Sequence, residues 1–369
     1  MTRRKNRYNR RALERQKSKA QFLSNYDNFE NVASYTALYE AARFASRGVA
    51  WKASVQRYLL NILINTAKIR ADLLAGKDVR QGFICFDVNE RGKVRHIRSV
   101  HFPERVVQKS LCNNVLMPAL SHNLIMDNGA SQKGKGTKFA LDRLVQHLRW
   151  HYRRYGKEGY ILLIDFKSYF DNINHSILKE YYRQYFKDEK ILKLTDDFVD
   201  AFGEKGLGLG SETSQIHAIA YPNTIDHFIK DQCGVKCYGR YMDDSYIISD
   251  SKEFLLNLFE KLKAKYTELD ITVSPKKTFI ADLKHGFTFL KTRFYITDTG
   301  KILKRPCRKA VTRERRKIKR QLKLYREGSL SAKDILTSFV SWSGSVKHKN
   351  AYKTVTEMKK LLEVLDDES

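Results

Sequence analysis

Tyr241-Met242-Asp243-Asp244 sets two adjacent carboxylates between two strand-like runs, Val235 to Tyr241 and Ser245 to Ser249. Apolar residues on both sides of so short a polar tip read as a β-hairpin with the acids at its turn. Neighbouring side chains on a straight strand point to opposite faces, so both acids can serve one site only if the backbone bends there. Two carboxylates held together repel unless a cation lies between them. Mg²⁺ suits that position, because it prefers oxygen ligands and also bridges substrate phosphates. A second acid strengthens the case. Tyr160 to Phe166 is a nearly continuous apolar run of buried-strand type with Asp165 near its end, and an acid there is costly to bury unless paired or metal-bound. A strand ending in Asp and a hairpin bearing Asp-Asp supply what a two-metal phosphoryl-transfer site needs, with ions about 3.5–4 Å apart on the attacking and leaving oxygens. Asp165 and Asp243 are expected to hold the ions, with Asp244 in support; Phe166, next along the chain, is counted in the metal-holding set.

The elements that must position these acids follow from patterning. Residues 1–27 form a basic arm, and residues 28–76 read as helices, with apolar spacing through Tyr58, Leu59, Ile62 and Leu63. Residues 81–101 read as a hairpin with a polar turn at Asn89-Glu90-Arg91-Gly92, and 105–120 and 137–155 as helices. After the Asp165 strand come a helix from Asn174, a glycine-rich turn at Gly206-Leu207-Gly208-Leu209-Gly210, a helix over 212–230 and the Asp-Asp hairpin. Ser251 is placed to cap a helix carrying Phe254, Leu255, Leu258, Phe259 and Leu262. Strands are expected near Thr272, Thr278 and Phe287 to Tyr295, and residues 301–369 read as helical and basic. The fold class is α+β.

Composition narrows the partners. With 69 Lys and Arg against 41 Asp and Glu, the 369-residue chain carries a net charge of +28, an excess suited to a polyanion. The charge is clustered in Thr2 to Lys19 and Lys301 to Lys323, each block containing one acid. A single basic run usually marks a solvated face; two blocks flanking a phosphoryl-transfer centre point to nucleic acid. No apolar run approaches the roughly 18–20 residues of a membrane span, and the basic N-terminus lacks the apolar stretch of a signal peptide. The expectation is a soluble cytoplasmic protein without membrane contact. Five scattered cysteines fit reduced thiols, and Cys233 and Cys237 lack a second ligand pair at zinc spacing.

The order Asp165, Gly210-Ser211-Glu212-Thr213-Ser214-Gln215, Tyr241-Met242-Asp243-Asp244 and Lys276 resembles the palm of reverse transcriptases, over roughly residues 93–342. The resemblance implies a right-hand polymerase fold: fingers over 28–155, a palm of antiparallel sheet and helices over 156–300, and a helical basic thumb over 301–369. It implies an RNA-directed DNA polymerase with two Mg²⁺ ions (Mn²⁺ the alternative), dNTPs, an RNA template and an RNA–DNA product duplex. Phe170 then sits where an aromatic blocks the 2′-OH of a ribonucleotide. Lys93 and Arg95, on one face of a strand, would clamp the triphosphate, while Arg105, with Lys133 and Lys135 in a glycine turn, would contact nucleic acid. Leu209, Gly210 and Gln215 would line the nucleotide pocket, and Lys276 is preferred over Lys277 as the acid that protonates pyrophosphate. Gly286 to Leu290 resembles a primer grip, and Arg313, Arg316, Lys317 and Arg320 would track the duplex backbone.

Leu209 before the glycine, Gln215 and Ser341-Trp342-Ser343-Gly344 resemble the reverse transcriptases of diversity-generating retroelements. Those imply a structured RNA, a small basic accessory protein, errors directed to template adenine, and a bacterial or phage gene. An antiphage-defence reverse transcriptase using a dedicated noncoding RNA is the alternative, and a catalytically dead nucleic-acid-binding scaffold a lesser one. The boxes of retron enzymes are missing.

Overall fold

A computed structural model describes residue 14, residues 16–90 and residues 93–363. Much of the expected basic arm therefore lies outside the described residues. The chain forms two compact units: one takes in residues up to Gly136, Phe166–Gly234 and Lys261–Val273, the other Thr137–Asp165, Val235–Glu260 and Ser274 onward.

The first unit is helical with one hairpin. Helices run over 16–24, Glu30–Ala33, Tyr35–Ala45, Ala53–Leu60 and Ile62–Leu74, the last four within the range 28–76 expected to be helical. Strands β1 (Phe83–Glu90) and β2 (Lys93–Val100) pair antiparallel, with Glu90 opposite Lys93. The next helix starts at Phe102, earlier than residue 105, with Pro103 in the first turn where no amide donor is needed. It runs through a π-helical turn, Cys112–Leu116, into Met117–Ser121. Helix His175–Arg183 begins where Asn174 Oδ1 accepts from the Ile177 amide, and helix Glu189–Asp200 is capped by Asp188. The single helix expected over 212–230 is interrupted: Glu212–Ala220 ends before Pro222, which has no amide hydrogen to continue the ladder, and the chain resumes as Asn223–His227 and a π turn, Phe228–Gln232. Thr272 is not in a strand; the nearest pairing is an isolated bridge between Phe166 and Val273.

The second unit is built on a four-stranded antiparallel sheet. Its strands are β3 (Tyr160–Asp165), β4 (Tyr238–Tyr241), β5 (Asp244–Ser249) and β6 (Phe279–Asp282), in the order β4-β5-β3-β6. β3 has a partner on each side, which is why its sequence is apolar almost throughout. Helix Thr137–Tyr155 has the bounds the periodicity predicts, and its Leu141, Leu144, Val145 and Leu148 stripe shares a core with Ile161, Leu163, Tyr246 and Ile248 of β3 and β5. Ser251 Oγ accepts from the Phe254 amide at 3.1 Å and caps helix Lys252–Glu268. A second sheet holds β7 (Phe287–Phe289), β8 (Thr292–Ile296) and β9 (Ile302–Pro306). β9 corrects the expectation of helix from residue 301: the segment pairs with the free edge of β8, Ile302 opposite Ile296. Helices Arg308–Arg326, Ala332–Val346 and Tyr352–Lys360 then close on a small core of Ile318, Ile335, Phe339, Met358 and Leu362. Among the described residues no helix is long and apolar enough to cross a membrane, and none of the five cysteines is in a disulfide.

Within the first unit, His217 is 1% exposed and its Nδ1 lies 2.5 Å from the Tyr182 hydroxyl. Burial, with His175 nearby, pushes its imidazole down to about 3. A histidine kept neutral by the fold must be charged on acid unfolding, so its contribution is whole above pH ~6.5 and is lost as pH falls towards 3. Chemical denaturation between pH 7 and 4 should show stability falling by up to about 1.4 kcal/mol per pH unit from this group. His217→Gln should flatten that slope; an unchanged slope would remove His217 as its source.

Candidate active site

The register of β3 against β5 pairs Asp165 with Asp244 directly. Paired residues share a face, and like charges in that position destabilise the pair. Asp165 is 6% exposed; its amide donates to Thr278 Oγ1 at 3.2 Å, and its carbonyl accepts from the Ser274 amide at 2.8 Å. These contacts fix the backbone of the acid from the segment preceding β6. Asp243 comes from the turn between β4 and β5, where Tyr241 pairs with Asp244 across two central residues. The bend that the adjacent acids require is made at Met242, with φ +57°, a left-handed conformation that a non-glycine residue rarely adopts. Arg240, 2% exposed in β4, donates from Nη1 to the Met242 carbonyl at 3.2 Å and braces this turn from the buried side.

Burial pushes the Asp244 carboxyl up to about 7, Asp243 and then Asp165 adding to the rise while Lys277 and Lys291 oppose it. Lys277 meets the acids closely: its Nζ donates to both carboxylate oxygens of Asp165, at 2.8 and 2.7 Å. The hydrogen bond to Asp165, with help from Asp244 and Asp243, holds the Lys277 ammonium above its ordinary value. Lys277, rather than the preferred Lys276, is thus the lysine on the acids. The segment 274–278 turns through Ser274, whose carbonyl accepts from the Lys277 and Thr278 amides, and leaves Lys276 exposed. Spacing from Pro275 does not distinguish the two lysines; the turn does.

The donor set suits a hard divalent cation: carboxylate oxygens that repel one another, with an ammonium where positive charge is needed. Among the described residues, no three acidic, histidine or cysteine side chains are already gathered tightly enough to hold a metal. A divalent cation held there would compete with Lys277 for the Asp165 carboxylate. Phe166 can offer a metal only its main-chain carbonyl, since its ring is buried against Tyr169 and Tyr266.

The other candidates belong to the first unit or to the C-terminal helices. Phe170 opens a short 3₁₀ turn, is half-buried, and lies edge-on to Tyr169. Its carbonyl accepts from the Leu207 amide at 2.7 Å, and the Ile173 carbonyl from the Gly206 amide at 2.8 Å, so the glycine-rich turn is fastened to the Phe170 segment. Leu209 bridges Ile97 of β2 and accepts from the Arg98 amide at 2.9 Å. Gly210, at φ +115°, has room only for hydrogen, as a Cβ would stand 2.9 Å from Ile97 Cγ2. The close approach it permits is to β2, a protein contact that a glycine in sequence does not reveal. Gln215 is exposed on its helix, and its Oε1 accepts from Ser131 Oγ at 3.1 Å. Arg95 is exposed on β2; the Lys93 side chain lies outside the described residues. Arg105 Nη2 donates to Ser99 Oγ at 2.8 Å. Lys133 is exposed, whereas Lys135 Nζ binds the Met126 and Asn128 carbonyls at 3.1 Å and braces its own loop. Arg313, Arg316, Lys317 and Arg320 are exposed on helix 308–326, while Glu314 and Ile318 face inward.

Residues 86–294, more than half of the chain, match the family described as "Reverse transcriptase (RNA-dependent DNA polymerase)". The chain belongs to the reverse transcriptase family. Members of this family work with divalent metal ions, in keeping with the paired acids. No curated protein matches the chain. Among solved structures, it is similar to the apo telomerase of Candida tropicalis at 15% identity, covering 60% of this chain and 54% of that one, with a TM-score of 0.46. The corresponding values for the telomerase of Candida albicans, solved with a fragment of telomeric RNA, are 13%, 77%, 58% and 0.48. The reverse transcriptase chain described here thus spans a little over half the length of these telomerases, and nothing about its chemistry follows from likeness at that level.

Two substitutions should move stability in opposite directions when divalent ions are chelated. Asp244→Asn removes a half-buried like charge and should stabilise the protein by about 1–3 kcal/mol above pH 7. Lys277→Met removes the compensating ammonium and should destabilise it by about 1 kcal/mol, the modest size reflecting its exposure. Excess Mg²⁺ should restore Lys277→Met and leave Asp244→Asn nearly unchanged. Thermal melts with chelator and with Mg²⁺ test the pair; the same sign for both would mean the acids do not repel.

Proposed function

We propose that this reverse transcriptase copies a structured RNA into cDNA by phosphoryl transfer at two Mg²⁺ ions, with Mn²⁺ as a substitute, within a diversity-generating retroelement. The observation that supports the catalytic part is the pairing of Asp165 with Asp244 beside Asp243, with Lys277 as a counter-charge on Asp165. Asp165, Asp243 and Asp244 would hold the ions, with the Phe166 carbonyl as a further oxygen. When bound, the ions would activate the primer 3′-hydroxyl and neutralise charge on the departing pyrophosphate.

The chain's own residues supply positioning and proton transfer. Lys276 is exposed and available to protonate the leaving group; Lys277, once displaced from Asp165, is the competing donor. Phe170 would exclude the 2′-OH that distinguishes RNA from DNA precursors. Lys93 and Arg95 stand two positions apart on β2 and would clamp the triphosphate. Leu209, Gly210 and Gln215 would border the nucleotide. Arg105 and Lys133 would add nucleic-acid contacts, and Arg313, Arg316, Lys317 and Arg320 would follow the duplex phosphates, a term that weakens with salt. Lys135 is the weakest member of this group, because its ammonium already serves carbonyls.

The retroelement assignment rests on Leu209 before Gly210, on Gln215 and on Ser341-Trp342-Ser343-Gly344. It brings with it a dedicated RNA, a small basic accessory protein, and a cytoplasmic setting in a bacterium carrying the gene itself or on a phage.

Primer extension on an RNA template with Mg²⁺ and dNTPs tests the catalytic reading. Asp243→Asn/Asp244→Asn should lower synthesis by at least about 10³-fold, some 4 kcal/mol of barrier, while RNA affinity stays within about twofold because these acids do not bind phosphate directly. Loss of RNA binding together with synthesis would make the acids structural. Sequenced cDNA should show errors concentrated opposite adenine; an even error spectrum or untemplated repeats would favour a defence enzyme. Phe170→Ala should raise ribonucleotide incorporation relative to deoxyribonucleotide by about 10–100-fold, the range for pocket shape in discrimination. Unchanged selectivity would return Phe170 to a packing role.

A further inference from the structure

A groove in the first unit, of about 380 Å³, is bordered by four carboxamides: Asn25, Asn31, Asn113 and Asn114. Its volume lies within the range of small-ligand sites. Asn113 and Asn114 come from the π-helical turn Cys112–Leu116, a rare insertion that recurs at functional sites. Asn31 Nδ2 donates to the Asn25 carbonyl at 2.9 Å and Asn114 Nδ2 to Ser110 Oγ at 3.3 Å, which orients both amides and leaves their oxygens to accept. The Asn25 and Asn113 side chains are exposed and make no hydrogen bond among the described residues. Tyr26 adds a half-buried aromatic wall, its ring set edge-on against Phe22 at a centroid distance of 5.2 Å. Among the described residues of the lining, Glu40 is the one charged group.

This is the wrong chemistry for a phosphate: on a chain with a net charge of +28, the described residues of the groove present no cation and one carboxylate. It suits a flat neutral ligand with several donors and acceptors. Carboxamides read the donor–acceptor edges of bases, and a carboxylate accepts from an exocyclic amino group. An aromatic wall supplies the stacking face used to hold splayed bases of single-stranded RNA. We propose that the groove binds an unpaired nucleobase of an RNA strand, with the amino-bearing bases adenine and cytosine favoured over uracil. The proposal rests on the RNA-directed reading above and adds a contact made away from the acids.

The full chain is first saturated with a primer–template duplex, and fluorescent oligo(rA), oligo(rC) and oligo(rU) are then titrated at physiological salt. Oligo(rA) and oligo(rC) should bind about fivefold or more tightly than oligo(rU). Asn25→Ala/Asn113→Ala should weaken them about fivefold, to the oligo(rU) level, which is about 1 kcal/mol. Glu40→Gln should narrow the discrimination against uracil. Both asparagines are exposed, and an unchanged thermal melt checks that the variant is folded. Equal binding of the three oligomers, or a double variant that binds like the wild type, overturns the proposal. Failure of the wild type to extend a primer on RNA would instead overturn the polymerase reading, and the titration does not depend on nucleotide addition.

Discussion

Asp165 and Asp244 face each other across adjacent strands, and the second unit is organised to keep two like charges where they would not remain alone. The restraint comes from the backbone: β3 is held between β5 and β6, and its apolar face is locked into the core under helix Thr137–Tyr155. A side chain cannot leave the site without a slip of register, and a one-residue slip would turn the whole apolar set of β3 to the wrong face. Burial, with repulsion from Asp243 and Asp165, therefore shows as a raised Asp244 carboxyl, and Asp165 captures Lys277.

The turn at Met242 carries the second part of this constraint. A residue with a Cβ in the left-handed region costs about 1–2 kcal/mol, and it is tolerated because the flanking pairs and the buried Arg240 guanidinium leave the turn no alternative. That conformation brings Asp243 beside Asp244 instead of across the sheet. Strain, buried charge and a counter-ion of limited strength concentrate at one end of one sheet, where they offset stability gained by the apolar core behind it.

In the first unit the corresponding restraint is steric. The glycine-rich turn is sewn to the Phe170 segment and to β2 by main-chain hydrogen bonds, and Gly206 and Gly210 lie where a Cβ would meet the Asp171 carbonyl oxygen at 2.6 Å and Ile97 Cγ2 at 2.9 Å. Phe170, Leu209 and the first strands are thereby set by backbone contacts, with side chains left over for other work. The carboxamide groove stands apart from this pattern and from the chain's overall charge, since its polar groups are spent neither on cations nor, for Asn25 and Asn113, on the protein itself.

Local chemistry was sufficient to identify the acids, the hairpin that bears two of them, the cap at Ser251, the helix over 137–155 and the strand ending in Asp165, because each is set by neighbours a few residues away. Tertiary context decided the rest. Lys277, not Lys276, reaches the Asp165 carboxylate because a turn at Ser274, anchored to Asp165, aims one of two adjacent lysines at it. β9 formed where helix was expected because β8 offered an unpaired edge. Lys135 was diverted to carbonyls of its own loop, and Gly210 proved to serve β2. The pairing of Asp165 with Asp244 is of the same kind: residue type and spacing marked both acids, but only the register between strands distant in sequence could set them face to face.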